Sequence, residues 1–453
     1  MSAGDEVPIG SPAKGLIVAA PSSRSGKTLF TLALLRALRN ASCSVVSAKV
    51  GPDYIDPAFH QAASGQPCIN LDTWAMRPGT LSHLIQSLNT AADLIIAEGV
   101  MGLFDGADCD EDLADGSTAS LARLTGWPVI LLVDARAQAA SAAAVVRGFS
   151  GHSPDVDVAG VIFNRVGSPG HTGTLIRSMQ RHLPEIPVLG CLPRTPDLAL
   201  PERHLGLVQA GEHADLEEFL ETAARWVDEH VDLSAVQGLA RQSSSQAATP
   251  SVTPLPPLGQ RIAVARDQAF AFSYAATLEG WSAAGTSLHL FSPLGGEGPD
   301  PDCDSVYLPG GYPELYAGQL ASGGFIKGIQ SAAVAGAQIF GECGGYMVLG
   351  EGLIDADGRR HQMTGLLPLE TSFHKRKLHL GYRDVKTRTE SPLGTIGSLF
   401  RGHEFHYATI ISETPEKALF QTRNARDEDL GMGGLAERNV AGSFMHLIDL
   451  NPL

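Results

Sequence analysis

Apolar residues occur along this chain in short runs, most of them closing on a polar residue or a glycine pair. Residues 15–20, 45–50, 93–98, 128–134, 158–165 and 188–193 are such runs. Their length, and their lack of strict alternation, predicts strands covered on both faces. Residues 29–38, 135–147 and 216–230 between or after them carry helical patterning. Strands alternating with helices predict a doubly wound, mainly parallel sheet, with ligands beyond the strand carboxyl ends. The pattern then lapses. Residues 242–258 are rich in Ser, Thr, Pro, Gln and Ala and include Pro254-Leu255-Pro256-Pro257, a linker composition. A second α/β unit begins at residues 261–265, and 305–308 and 333–340 read as further strands. The last runs into a glycine turn from which Tyr346-Met347-Val348-Leu349 begins a helix. The predicted organisation is an N-terminal domain over 14–235, a linker over 236–259 and a C-terminal domain over 260–453.

Composition narrows the class. A chain of 453 residues exceeds a single ordinary core. It is 43% hydrophobic, yet no run reaches the length of a membrane span. The net charge of -16 argues against a nucleic-acid partner and leaves room for anionic small substrates in a local basic pocket. Six cysteines without a CxxC pair carry no zinc-ribbon signal. Residues 1–11 lack the basic and apolar regions of a signal peptide. The expectation is a cytoplasmic enzyme with free thiols and no membrane partner; a homodimer is compatible with it.

Pro21-Ser22-Ser23-Arg24-Ser25-Gly26-Lys27-Thr28 separates the first strand from the first helix. That is the setting of a phosphate-binding loop, although Pro21 stands where the usual pattern has its first glycine. Backbone N–H groups around Ser25 and Gly26 would cradle phosphates, Lys27 would reach the terminal ones, and the Thr28 hydroxyl would meet Mg²⁺. Glu98 ends a strand where an acid can help hold that ion. Lys49 precedes Asp53 and Asp56, whose carboxylates are candidates for metal and substrate, or are solvated turn acids. Asp105 lies in the loop after Glu98, and Asn164 either reads a base edge or caps a loop.

In the second half, Gly341-Glu342-Cys343-Gly344-Gly345 places a cysteine at a strand-to-helix turn. This is the setting of an exposed nucleophile whose pKa the following helix lowers; a buried structural cysteine is the alternative. Gly310-Gly311, one helix and one strand earlier, suits an oxyanion hole. A thiolate needs a base, and His403, His406 and His446 all qualify by type.

Taken together these stretches resemble the cobyrinate or hydrogenobyrinate a,c-diamide synthase family. The matching segments include 21–28, 49–57, 99–106, Arg203-His204-Leu205-Gly206-Leu207, 310–314, 341–347, 402–407 and 442–447. The resemblance implies a dethiobiotin-synthetase-like domain joined to a class I glutamine amidotransferase domain. It implies ATP and L-glutamine as co-substrates, Mg²⁺, and a corrin-type tetrapyrrole amidated through acyl phosphates. It carries the nucleophile onto Cys343 and the base onto His446. The acid expected two residues later is Ile448, so Glu404 is the candidate orienting group. Residues 265–274 are more similar to aerobic-branch members, which favours hydrogenobyrinate over cobyrinate. A noncatalytic nucleotide-binding protein is the remote alternative.

Overall fold

The computed structural model describes residues 12–109, 114–196, 198, 202–203, 206–244 and 252–451. The matched segment at 203–207 is therefore described in part, and His204 and Leu205 lie outside it. Seven strands form a parallel sheet: β1 (Lys14–Ala19), β2 (Val45–Val50), β3 (Cys68–Leu71), β4 (Leu94–Glu98), β5 (Val129–Asp134), β6 (Val158–Val166) and β7 (Val188–Pro193). Their order is β3-β2-β4-β1-β5-β6-β7. The direction of winding reverses at β1, so the loop after β1 opens onto a topological switch point. All six residues of β2 and all five of β4 are buried, the polar Ser47, Lys49 and Glu98 among them.

The helix after β1, Lys27–Asn40, buries residues 30–38 and starts at Gly26, whose φ is +92°. The helix after β5 spans Ala142–His152, later than the predicted 135–147. Asp134 Oδ1 accepts the Arg136 N–H at 3.0 Å, and Ala137 takes φ 56°; this local turn displaces the first helical turns despite the alanine content. The first domain also reaches beyond residue 235. Leu233–Leu239 is helical and Arg241–Gln242 pairs antiparallel with β1.

The second sheet has ten strands. Ser287–Phe291, Arg261–Ala265, Ser305–Leu308, Gln338–Glu342 and Val440–Ser443 are parallel neighbours in that order. Asp429–Glu437, Ala418–Arg423, His379–Thr387, Leu399–His406 and Met445–Leu450 continue the sheet antiparallel. The strand expected over 333–340 starts at Gln338, because the helix Phe325–Ala335 runs on to Gly336. Gly336 has φ +93° and ends the helix in a left-handed cap.

The two domains share their cores. Tyr274, Ala276 and Ile448 pack into the buried cluster of the first sheet that also holds Trp74 and Leu81. Across the same boundary, Asp449 accepts from the Arg77 guanidinium at 2.7 and 2.9 Å and from its backbone N–H at 2.8 Å. Among the described residues no helix is long and apolar enough to cross a membrane.

Candidate active site

The phosphate loop is braced from within. Ser25 Oγ donates to the Ser22 carbonyl at 2.8 Å, and Asn164 Nδ2 donates to the Ser25 carbonyl at 2.9 Å. A Cβ at Gly26 would lie 2.5 Å from that same Nδ2. Asn164 thus braces the loop from the end of β6. Lys27 Nζ donates to the Met101 carbonyl, and burial lowers its ammonium to about 8.

Behind Lys27, four side chains converge. Thr28 Oγ1 donates to Glu98 Oε1 at 2.8 Å and lies 3.3 Å from Asp56 Oδ2. Lys49 Nζ lies 2.6 Å from Asp56 Oδ2 and 2.9 Å from Glu98 Oε1. Burial works against charge here, but Asp56 and Glu98 outweigh it and raise the Lys49 ammonium. Burial likewise opposes the Glu98 carboxylate, and Lys49 and His60 outweigh it and hold its pKa well down. Burial, then the charge of Asp53, pushes Asp56 up to about 6. His60 Nε2 pairs with Glu98 Oε2 at 2.7 Å, a contact the sequence did not signal. Asp53 stands apart: its Oδ1 accepts the N–H groups of Ile55 at 2.8 Å and Asp56 at 3.0 Å, capping the helix Asp56–Ser64. Asp105 Oδ2 likewise accepts the Gly102 N–H at 2.8 Å. Asp56, rather than Asp53, thus joins Thr28 and Glu98. Their hard oxygen donors already enclose one cation, the Lys49 ammonium, and suit Mg²⁺.

In the second domain the strand Gln338–Glu342 ends at Cys343, with φ 47° and ψ -100°, and the helix Gly344–Leu349 follows. Such a positive φ off glycine is strained and turns the side chain out of the sheet. Parallel pairing of Glu342 with Ser443 brings His446, three residues on, to the same end of the sheet. The spacing is tight. A Cβ at Gly310 would lie 2.3 Å from His446 Cε1, and one at Gly344 would lie 3.0 Å from the Gly311 nitrogen. The glycine pair, the cysteine turn and His446 therefore share one pocket.

Cys343 and His446 are buried, at 2% and 1% exposure. Burial, then the charge of Glu314, pushes the thiol up. Burial, then the nearby His403 and His406, lowers His446 to about 3. Both shifts favour the uncharged forms of the two side chains. The expected activation by the helix is outweighed by desolvation. Neither ring nitrogen of His446 has a hydrogen-bond partner among the described residues.

Glu404 is occupied elsewhere: Arg383 holds it at 2.7 Å, and His406 Nε2 lies 3.0 Å from its other oxygen. Burial opposes its charge, while His406 and Arg383 outweigh that and lower it to about 2. His379, Glu404 and His406 are near enough to suggest a metal cluster, but Arg383 and the Ala408 carbonyl already take up Glu404 and His406. The acid that does approach His446 is Glu342, with Oε2 3.9 Å from Nδ1. The available clue was an acid ending a buried strand immediately before the cysteine.

Residues of both domains line a cavity of about 640 Å³. Asp53, Tyr54, Met101 and Asp105 line it from the first domain, and Phe272, Leu380, Arg383 and His403 from the second. Met101 and Leu380 are 54% and 57% exposed there. Tyr54 forms part of the wall towards the cysteine pocket, its ring 4.5 Å from that of His446.

A phosphate loop in one domain and a cysteine turn in the other, with a cavity lined by both domains, define a glutamine-dependent amidoligase. Comparison with known proteins agrees. Residues 16–208 match the CobQ/CobB/MinD/ParA nucleotide binding domain, and 261–452 match the CobB/CobQ-like glutamine amidotransferase domain. The chain is 53% identical to the hydrogenobyrinate a,c-diamide synthase of Brucella anthropi, over 96% of this chain and 98% of the relative. Identity to the proteins of that name is 53% in Rhizobium meliloti (96% and 99% covered) and 48% in Rhodobacter capsulatus (96% and 98% covered). The chain belongs to the hydrogenobyrinate a,c-diamide synthase family.

Proposed function

We propose that this enzyme amidates the a and c carboxylates of hydrogenobyrinate, with ATP and glutamine, in the cavity between its domains. The observation that carries this is the cavity itself. It is large enough for a sizeable ligand, and Met101 and Leu380 give it an exposed apolar lining. Phe272 and Phe405 add apolar surface for a macrocycle face, while Arg383, paired with Glu404, and Arg426, paired with Asp108, bring guanidinium groups to the wall near peripheral carboxylates. The Lys27–Met101 contact supports a phosphate site at its border.

In this reading a substrate carboxylate oxygen attacks the γ-phosphorus of ATP, ADP leaves, and an acyl phosphate forms. Lys27 and the backbone around Ser25 and Gly26 hold the phosphates and offset their charge. Mg²⁺, when bound, would be held by Thr28, Asp56 and Glu98 and would neutralise phosphate charge. In the second domain Cys343 Sγ attacks the glutamine side-chain carbonyl as its proton passes to His446. The N–H groups at Gly310 and Gly311 are placed for the oxyanion. His446 returns that proton to the amide nitrogen, ammonia departs as the thioester forms, and water, its proton taken by His446, then releases glutamate and restores the thiol. Ammonia attacks the acyl phosphate and expels phosphate, and a second round gives the diamide.

The test is mass analysis of product from hydrogenobyrinate, ATP, Mg²⁺ and amide-labelled glutamine. Two labelled nitrogens are expected. Conversion of cobyrinate alone in a parallel vessel would overturn the substrate and keep the reaction.

A further inference from the structure

We propose that Glu342, the residue immediately before the nucleophile, is the acid that positions His446 in the glutaminase site. The inference rests on the reading of Cys343 and His446 as nucleophile and base. A triad acid ordinarily would follow the histidine in the same strand, and here three candidates are closed. Ile448 is apolar and packs into the first domain's core. Asp449 is bound to Arg77, at 2.7 Å. Glu404 is bound to Arg383 and His406.

Glu342 is 2% exposed, and its surroundings are built around its carboxyl group. Oε1 accepts the Leu447 N–H at 3.0 Å, and Oε2 accepts the Tyr307 hydroxyl at 2.7 Å. Leu447 directly follows His446, so the first bond ties the acid to the histidine's own backbone. Tyr307 comes from the neighbouring strand Ser305–Leu308 and fixes Oε2 on the side facing the ring. A carboxylate accepts about four hydrogen bonds, so Oε2 retains acceptor capacity towards Nδ1. At 3.9 Å the two atoms are beyond a hydrogen bond and within ion-pair range.

The consequence is a choice of tautomer and a place for charge. An acceptor beside Nδ1 favours the proton there, leaving the Nε2 lone pair to receive the thiol proton. The imidazolium so formed has Glu342 as its counter-ion. Burial pushes Glu342 up to about 7, against the opposing bonds from Leu447 and Tyr307. The group therefore remains ionisable near neutrality. A purely structural role would need only the ties to Leu447 and Tyr307. A glutamine side chain at 342 can make both, with its oxygen and its amide hydrogens, while lacking the charge.

That difference is the test. Glu342→Gln should lower glutaminase kcat by about tenfold to a hundredfold with KM for glutamine nearly unchanged. Synthesis from added ammonia should continue, which shows that the variant is folded and its ligase site intact. Glu342→Asp, which restores the charge, should recover part of the loss. Wild-type glutaminase kcat in Glu342→Gln would overturn the assignment, as would an equal loss in Glu342→Asp and Glu342→Gln. Cys343→Ala in parallel separates the two claims: if it kept glutamine use, the underlying reading would fail rather than the role of Glu342.

Discussion

The ring of Tyr54, from the nucleotide-binding domain, lies 4.5 Å from the ring of His446, from the glutaminase domain. Tyr54 also stacks with Phe272 at 5.5 Å and packs at 4.8 Å from Tyr274. One side chain thus stands between His446 and the cavity that both domains line. Asp53, beside it, caps the helix that carries Asp56. Movement at the phosphate site has a short mechanical path to His446.

Tyr54→Ala should therefore uncouple the two activities. Glutamate formed per amide should rise by about fivefold or more, in the range of ordinary coupling energies. Tyr54→Phe, which keeps the ring, should stay near the wild-type ratio. Measuring both products in one time course checks this. An unchanged ratio in Tyr54→Ala would remove Tyr54 from the coupling.

The neutral state of the cysteine pair has its own signature. With the thiol raised and His446 lowered, Cys343 in the unliganded enzyme is protonated at neutral pH. Its alkylation by iodoacetamide should rise with pH by about tenfold per unit, without a plateau through about pH 9, because only the thiolate reacts. Mass spectrometry of the peptide carrying Cys343 follows it. A plateau near pH 6 would reveal a preformed thiolate–imidazolium pair instead.

Lys27 sets an alkaline limit on ATP use. Its free-enzyme pKa is lowered to about 8 by burial, so above that pH it loses the charge that attracts phosphate. The value of kcat/KM for ATP should fall as pH rises past 8, since this ratio reports free-enzyme ionisations. A flat profile to high pH would contradict the assignment.

The bond between Arg77 and Asp449 ties the domains. Asp449 is fully buried and Arg77 only partly so. Asp449→Ala leaves a charge-assisted network unmade and should cost roughly 1–3 kcal/mol, visible as a lower Tm. An unchanged Tm would make the contact incidental.

The parts of this architecture that announced themselves are those buried on both faces. Strands 45–50 and 305–308 match the observed Val45–Val50 and Ser305–Leu308, because their apolar content reflects local burial. The antiparallel strands after Gly352 gave less signal. Asp429–Glu437 holds three glycines and a mostly exposed start, so its pairing is set by neighbours distant in sequence. The site behaved similarly. Residue type and local turn marked Lys27, Thr28, Cys343 and Gly310. The exchange of Asp53 for Asp56 beside Glu98 depends on which carboxylate caps the following helix, and the approach of Glu342 to His446 depends on register between strands. Neither is written in local pattern.

The most direct test of the two-site account is the nitrogen-source dependence of Cys343→Ala. The account predicts that diamide synthesis from glutamine is lost while synthesis from high ammonia, with ATP, is retained; Lys27→Ala should lose both. Normal glutamine-dependent synthesis by Cys343→Ala would contradict it.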